Sequence, residues 1–155
     1  MSDVIAARVL HVIALVIWIG GVSLVTTVLL PAIRRGEFGN DRLRAFEAIE
    51  QRFIWLARVA ALIVGLTGIY MTARLDLWER FLSPGYWWMH AMVCLWLLFA
   101  FVLFIGEPLF LHRRFEARAR ANPHAAFALL QRVHWALLTM SLITILGAVA
   151  GSHGW

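Results

Sequence analysis

Residues Val9 to Ile33 read VLHVIALVIWIGGVSLVTTVLLPAI, an apolar run that contains no Asp, Glu, Lys or Arg. Three further apolar runs follow it, at Phe53 to Ala73, Tyr86 to Leu111 and His134 to Gly151. Each run has about the length that an α-helix needs to cross a hydrocarbon layer of about 30 Å at about 1.5 Å per residue. The sequence therefore predicts an all-α protein, an up-down bundle of four transmembrane helices embedded in a lipid bilayer.

Little of the chain lies outside these runs. Of its 155 residues 62% are hydrophobic, and no polar stretch is long enough to form a separate soluble domain. We therefore expect residues 1–155 to form a single integral membrane domain. The first run is also too long for the apolar core of a signal peptide, so we expect the first helix to stay in the protein.

The distribution of charge predicts the orientation of the bundle. The formal net charge is +5, and all 14 positive residues are arginines. Most of them lie in the loops after the first and third helices, whereas Arg74 and Arg80 of the second loop are balanced by Asp76 and Glu79. This pattern indicates membrane topology and not nucleic-acid binding, because basic loops stay on the cytoplasmic side. We expect a multi-pass protein of the bacterial inner membrane with both termini in the periplasm.

The loops on the cytoplasmic side are predicted to be partly helical. Asp41 to Gln51 is expected to extend the second helix, and Pro123 to Gln131 is expected to begin the fourth, because proline suits the first turn of a helix. On the periplasmic side, aromatic residues are expected to form half of an interfacial belt. They are Trp78, Tyr86, Trp87, Trp88 and Trp155.

Two histidines carry the main functional prediction. His11, near the start of the first helix, and His90, near the start of the third, lie at similar depth on the periplasmic side. The first and third helices are diagonal in an up-down bundle, which leaves the centre open for a flat macrocycle. We predict that His11 and His90 are the axial ligands of one haem, and that Arg8 and Arg74 hold its propionates. The alternative for each histidine is an interfacial residue with one hydrated nitrogen.

The remaining histidines are second candidates for ligation. His153, also on the periplasmic side, is either an interfacial residue or a third ligand. His112 and His134 lie on the cytoplasmic side, where they either sit at the interface, hold a second haem or flank the headgroup of a quinone. His124, in the loop before the fourth helix, is expected to be solvated.

One pair of opposite charges is predicted inside the membrane. Arg58 lies about one turn into the second helix, and Glu107 lies about one turn before the cytoplasmic end of the third, at matching depth. An unpaired charge at that depth is expensive, so we expect the two to form a buried ion pair. Its role is either to clamp two helices together or to deliver protons or anchor a cofactor.

Sulfur-containing residues favour a different metal on the periplasmic side. Met71, Met89 and Met92 collect there with the three histidines, and Cys94 lies one turn below His90. Thioethers and imidazoles together suit copper(I), so copper is the alternative to haem. The competing interpretation is that these residues pack against lipid and neighbouring helices.

Small residues mark places where helices approach closely or where a porphyrin finds room, and the sequence leaves both uses open. They are Gly20, Gly21, Gly65, Gly68, Thr72, Gly147 and Gly151.

The stretch from Leu10 to Gly21, LHVIALVIWIGG, resembles the first helix of the copper-resistance protein D (CopD) family and of the related HemJ-type protoporphyrinogen oxidases. Both have a histidine about one turn into this helix, followed by a Trp-x-Gly step. The stretch from Phe53 to Met71, with Arg58 and then Leu66-Thr67-Gly68, is similar to their second helix. The resemblance implies a four-helix membrane protein with haem b bound by His11.

These observations together predict a redox role. The protein is expected to bind haem b and to act as an electron-transfer protein or oxidoreductase, with a quinone or a periplasmic protein as its redox partner. The alternatives are a copper uptake or tolerance protein of the CopD type, a protoporphyrinogen oxidase-like enzyme, and a structural subunit or assembly factor with interfacial histidines. A homo-oligomer is compatible with each of them.

The predicted topology can be checked with reporter fusions. Alkaline phosphatase fused after Trp155 should be active, because this enzyme needs the periplasm and the positive-inside pattern places the C-terminus there. A fusion within the arginine-bearing loop after the first helix serves as the inactive control. An inactive C-terminal fusion beside an active loop fusion would reverse the topology and the sides assigned to the histidines.

Overall fold

Four long helices account for nearly all of the protein. The computed structural model describes residues 2–153, without the side chains of Asn40 and Arg42, and 93% of these residues are helical. The described part of the chain contains no β-strand, so the predicted all-α four-helix bundle is confirmed. Trp155, which we assigned to the aromatic belt, lies outside the described residues.

The helices are labelled α1 to α4 in chain order. They span Ser2–Arg34, Arg42–Arg74, Pro84–Ala121 and Pro123–Ser152. Each is long and apolar enough to cross a membrane, as expected of a multi-pass membrane protein. Two of the helices change pitch along their length. α1 contains a π-helical segment at Val25–Leu29. α3 begins with a 3₁₀ turn at Pro84–Tyr86 and contains a π-helical segment at Val102–Leu111. Short 3₁₀ segments at Gly39–Asp41 and Trp78–Leu82 lie in the connections on either side of α2.

The two helical extensions expected from the sequence are present. The residues from Arg42 onward form the first turns of α2 without a break, and α4 runs continuously from Pro123. At the start of α4 the side chain of Asn122 accepts a hydrogen bond of 3.0 Å from the backbone N–H of Ala125. Asn122 therefore caps the helix, and Pro123 occupies a first-turn position where no donor is needed.

The helices are longer than a bilayer is thick. α3 has 38 residues, which corresponds to about 57 Å of helix, against about 30 Å of hydrocarbon. The surplus lies at the end of the bundle that carries the connections α1–α2 and α3–α4, which we call the arginine-rich end. The opposite end, with the start of α1, the connection α2–α3 and the end of α4, is the terminal end.

The arginine-rich end has an aromatic core of its own. The rings of Phe46, Phe115 and Phe127 contact one another with centroid distances of 5.4–5.5 Å. Leu30 and Ile33 of α1 pack on the same cluster and are fully buried. The helical extensions therefore form a packed layer in which all four helices contribute apolar side chains.

The main core lies in the middle of the bundle. Trp18 of α1 and Phe99 of α3 meet edge to face with ring centroids 4.8 Å apart, which joins the two diagonal helices across the centre. Alanines of α2, among them Ala57 and Ala61, are buried around them. Small side chains on α2 let α1 pack closely along its length, and α1–α2 is the most extensive helix pair.

Aromatic side chains pack directly against four glycines of the helices. A Cβ atom added at Gly65 would collide with the indole of Trp96, and the same holds for Gly147 against Trp87 and for Gly151 against Trp88. The ring of Phe53 packs against Gly21 in the same way. The sequence left helix contact and porphyrin space as alternatives for these positions, and in the structure large side chains of a neighbouring helix fill them.

The aromatic core at the arginine-rich end can be tested by truncation. Phe127→Ala should destabilise the protein by about 3–5 kcal/mol, because Phe127 is 2% exposed and its removal leaves a cavity. Phe101→Ala is the matched control, since Phe101 is 50% exposed on the outer surface of α3. The measurement is the free energy of unfolding in mixed detergent micelles. Equal losses for the two variants would contradict the packing described.

Candidate functional site

His11 lies half-buried on α1, facing α2 near the terminal end. Its Nδ1 is 2.9 Å from Oγ1 of Thr67. The hydroxyl proton of Thr67 is directed at carbonyls of its own helix, with Ile63 O at 2.5 Å and Val64 O at 3.2 Å. The threonine oxygen therefore accepts from Nδ1–H of His11. This bond places the imidazole proton on Nδ1. It leaves the lone pair of Nε2 available to coordinate a metal.

His90 is oriented differently. It is exposed on α3, its Nε2–H donates to the carbonyl of Phe81 at 2.9 Å, and its ring meets the ring of Phe81 edge to face. The proton is therefore on Nε2, and the free lone pair is on Nδ1. His90 fastens the connection α2–α3 to the start of α3 in this structure.

The contact of Trp18 with Phe99 relates the positions of the two histidines. His11 is seven residues from Trp18 and His90 is nine residues from Phe99, so their depths differ by only about 3 Å. Seven residues bring His11 to the same face of α1 as Trp18, whereas nine residues turn His90 about 180° from Phe99. The structure thus agrees with matching depth but does not bring the two imidazoles face to face. Their joint ligation of one haem stays a prediction.

The two arginines predicted to hold propionates differ in their partners. Nε and Nη2 of Arg74 donate to Oδ2 of Asp3 at 3.1 and 3.0 Å, and the hydroxyl of Tyr70 donates to the same oxygen at 2.7 Å. Arg74 thereby ties the end of α2 to the start of α1. Arg8 is exposed one turn before His11 and makes no ion pair with any described carboxylate.

The other histidines lie apart from His11. His153 donates from Nδ1 to the carbonyl of Val149 at 2.8 Å at the terminal end, and His134 donates from Nδ1 to the carbonyl of Leu130 at 3.0 Å. Both keep an Nε2 lone pair. His112 is half-buried at the arginine-rich end, and His124 is exposed in the first turn of α4.

The described residues contain no group of three or more His, Cys, Asp or Glu side chains that could hold a metal ion. The sulfur-containing residues considered for copper differ in burial, and Met71 is half-buried. Met89 is buried, whereas Met92 and Cys94 are exposed on α3.

Arg58 and Glu107 are brought together inside the bundle. Nη2 of Arg58 is 2.8 Å from Oε2 of Glu107, and Nε of Arg58 donates to the carbonyl of Leu103 at 2.9 Å. The second bond has a cause in the sequence. In the π-helical segment, a carbonyl accepts from the residue five positions later, and for Leu103 that residue is Pro108, which has no N–H. Arg58 supplies the missing donor.

Two features of the interior were not predicted from the sequence. One is that Arg58 satisfies a backbone carbonyl, although Pro108 within a transmembrane run was the signal. The other concerns Trp18, whose Nε1–H is buried without a hydrogen-bond partner among the described residues. A buried donor without an acceptor costs stability. Trp18 lies two turns below His11 on the same face of α1.

Comparison with known proteins returned no relatives. No protein-family model, no curated protein and no solved structure matches this chain. The resemblance to CopD and HemJ-type proteins therefore stays a prediction.

A double-mutant cycle tests the interior ion pair. Arg58→Met and Glu107→Gln should each destabilise the protein by about 3–5 kcal/mol, because each leaves a buried partner unsatisfied. Arg58→Met should cost more, since it also exposes the Leu103 carbonyl to hydrocarbon. The double variant should cost less than the sum of the two.

The exposed pair Arg35 and Glu37 is the matched control for this cycle. Its coupling should be within about 1 kcal/mol of zero, because solvent screens it. Free energies of unfolding in detergent provide the measurement. Additive losses at Arg58 and Glu107 would show that their contact contributes nothing.

Proposed function

We propose that this protein is a haem b protein of the bacterial inner membrane with a redox function, and that His11 is the haem ligand. The observation that carries the proposal is the hydrogen bond from Nδ1–H of His11 to Thr67. Haem iron binds an imidazole through an unprotonated nitrogen. With its proton on Nδ1, His11 has an unprotonated Nε2. When bound, haem b supplies one-electron chemistry.

Thr67 acts as the positioning residue for His11. Ligating histidines almost always donate their other ring N–H to a fixed acceptor, which sets both the tautomer and the orientation of the ring. The hydroxyl of Thr67 is itself held by its bond to the carbonyl of Ile63, so the acceptor has one orientation.

The surroundings of His11 fit the rest of the group. Arg8 lies one turn closer to the terminal end and has no described carboxylate partner, so it is available to a propionate. Toward the middle of the bundle, Trp18 and Phe99 are buried against each other, so a porphyrin bound at His11 would contact them only if the two rings moved apart. The buried Nε1–H of Trp18 is a donor that a bound water or polar group would satisfy.

We propose His90 as the second axial ligand, at a depth within about 3 Å of His11. For this role the ring of His90 has to leave the carbonyl of Phe81. Since His90 lies on the opposite face of α3 from Phe99, the helix itself also has to rotate about its axis. The hydrogen bond that His90 makes in this structure is exposed to the surroundings, which lowers the cost of exchanging it. Both termini are proposed to face the periplasm, and the redox partner is proposed to be a membrane quinone or a periplasmic protein.

Substitution of the histidines tests this function directly. The protein purified from haem-replete cells should show a low-spin haem b spectrum. His11→Ala should abolish the haem. His90→Ala should turn the spectrum high-spin, because it removes only the second ligand. Thr67→Val keeps the shape of the side chain but removes the acceptor, and it should weaken haem binding by about 10–100-fold.

His124→Ala is the control, since His124 is exposed and distant from His11. Its spectrum should equal that of the unmodified protein. A full low-spin spectrum in His11→Ala would refute the assignment. A full low-spin spectrum in His90→Ala alone would leave His11 in place and exclude His90 as the second ligand.

A further inference from the structure

A groove runs between α2 and α3 on the outer surface of the bundle. Its volume is about 330 Å³, within the range of about 300–1,000 Å³ found for small-molecule sites. Its lining is mostly apolar and aromatic, with one charged residue. The lining residues are Trp55, Arg58, Val59, Leu62, Phe104 and Pro108.

The groove opens toward the hydrocarbon of the membrane. Its walls keep large exposed areas, with Trp55 at 69% and Phe104 at 40% exposure. Both residues lie within helices that are long and apolar enough to cross a membrane. A molecule that enters the groove therefore arrives through the lipid phase and has to be lipid-soluble.

The one charged side chain in the lining is that of Arg58, which is paired with Glu107 behind it. Arg58 and Glu107 keep 22% and 25% of their side-chain surface exposed although they lie inside transmembrane helices. An arginine has five N–H donors, and the bonds to Leu103 and Glu107 use two of them. A donor without an acceptor is costly in hydrocarbon, where no water replaces it. Arg58 therefore favours a molecule that brings acceptor oxygens into the groove.

The residues that line the groove also fix the position of its charged side chain. Pro108 forms part of the lining, and its missing N–H leaves the Leu103 carbonyl to Arg58. That bond holds the guanidinium at the wall of the groove. Trp55 and Phe104 stand on α2 and α3, so the two helices each contribute one aromatic ring.

We propose that this groove binds the headgroup of a lipid-soluble quinone. A quinone head is a flat ring with carbonyl acceptors, which suits aromatic walls and an arginine donor, and its apolar tail extends into the membrane. A phospholipid head fits less well. Arg58 lies five residues inside the apolar run that begins at Phe53, about 8 Å deeper than the boundary of that run.

This assignment rests on the proposed function only in that a quinone is a redox partner carried by the membrane. The binding itself requires α2 and α3 and none of the histidines. The two proposals can therefore fail separately.

Photolabelling tests the site in the full-length protein. The protein is placed in nanodiscs of defined phosphatidylcholine and labelled with an azido-quinone, and the labelled peptides are identified by mass spectrometry. Label should appear on peptides that contain Trp55 or Phe104, and decylubiquinone should compete for it saturably. Leu62→Trp fills the groove and should reduce labelling by at least about tenfold.

Leu66→Trp is the matched control, because Leu66 lies one turn further along α2, is 67% exposed and does not line the groove. Its labelling should be unchanged. Labelling that is insensitive to Leu62→Trp, or that added phosphatidylglycerol displaces as well as decylubiquinone does, would overturn the assignment. Protein without haem that still binds the quinone would refute only the haem proposal, and haem-loaded protein without saturable labelling would refute only the quinone site.

Discussion

A helix in hydrocarbon has no water to complete its hydrogen bonds, and the surroundings of Leu103 show how this chain meets that constraint. Pro108 leaves the Leu103 carbonyl without a donor from its own helix, and Arg58 of α2 supplies one. The arginine is charged, so Glu107 is needed beside it. The cation and the anion therefore lie together at one of the contacts between α2 and α3.

Several hydroxyl groups in the interior are satisfied within their own helix. The hydroxyls of Thr26, Ser141 and Thr144 each donate to the carbonyl four residues earlier in the same helix. Hydrogen bonds also cross between helices. They join His11 to Thr67, Arg58 to α3, Trp96 to the carbonyl of Ala61, Arg34 to Gln131, and Tyr70 and Arg74 to Asp3. Aromatic rings of neighbouring helices also pack closely against Gly65, Gly147 and Gly151.

The two proposed sites share α2. Thr67, which orients His11, and Arg58, which lines the groove, are nine residues apart on this helix, or about 14 Å along its axis. Small buried residues such as Ala61 and Val64 lie between them and let α1 pack closely. α2 therefore carries a positioning hydroxyl near the terminal end and a cation nearer the arginine-rich end, with tight apolar packing in between.

The sequence by itself determined the number of helices and where α2 and α4 begin, near Arg42 and Pro123. It also determined the similar depth of His11 and His90 and the matching depth of Arg58 and Glu107. Depth can be counted along the chain, because each helical residue advances about 1.5 Å. Only the tertiary structure decided that His90 turns away from the centre, that Arg74 binds Asp3, and that Arg58 also serves Leu103. These outcomes depend on how each helix is rotated about its axis. Helices that are apolar on every side show no hydrophobic stripe from which that rotation can be predicted, so packing against the neighbouring helices decides it.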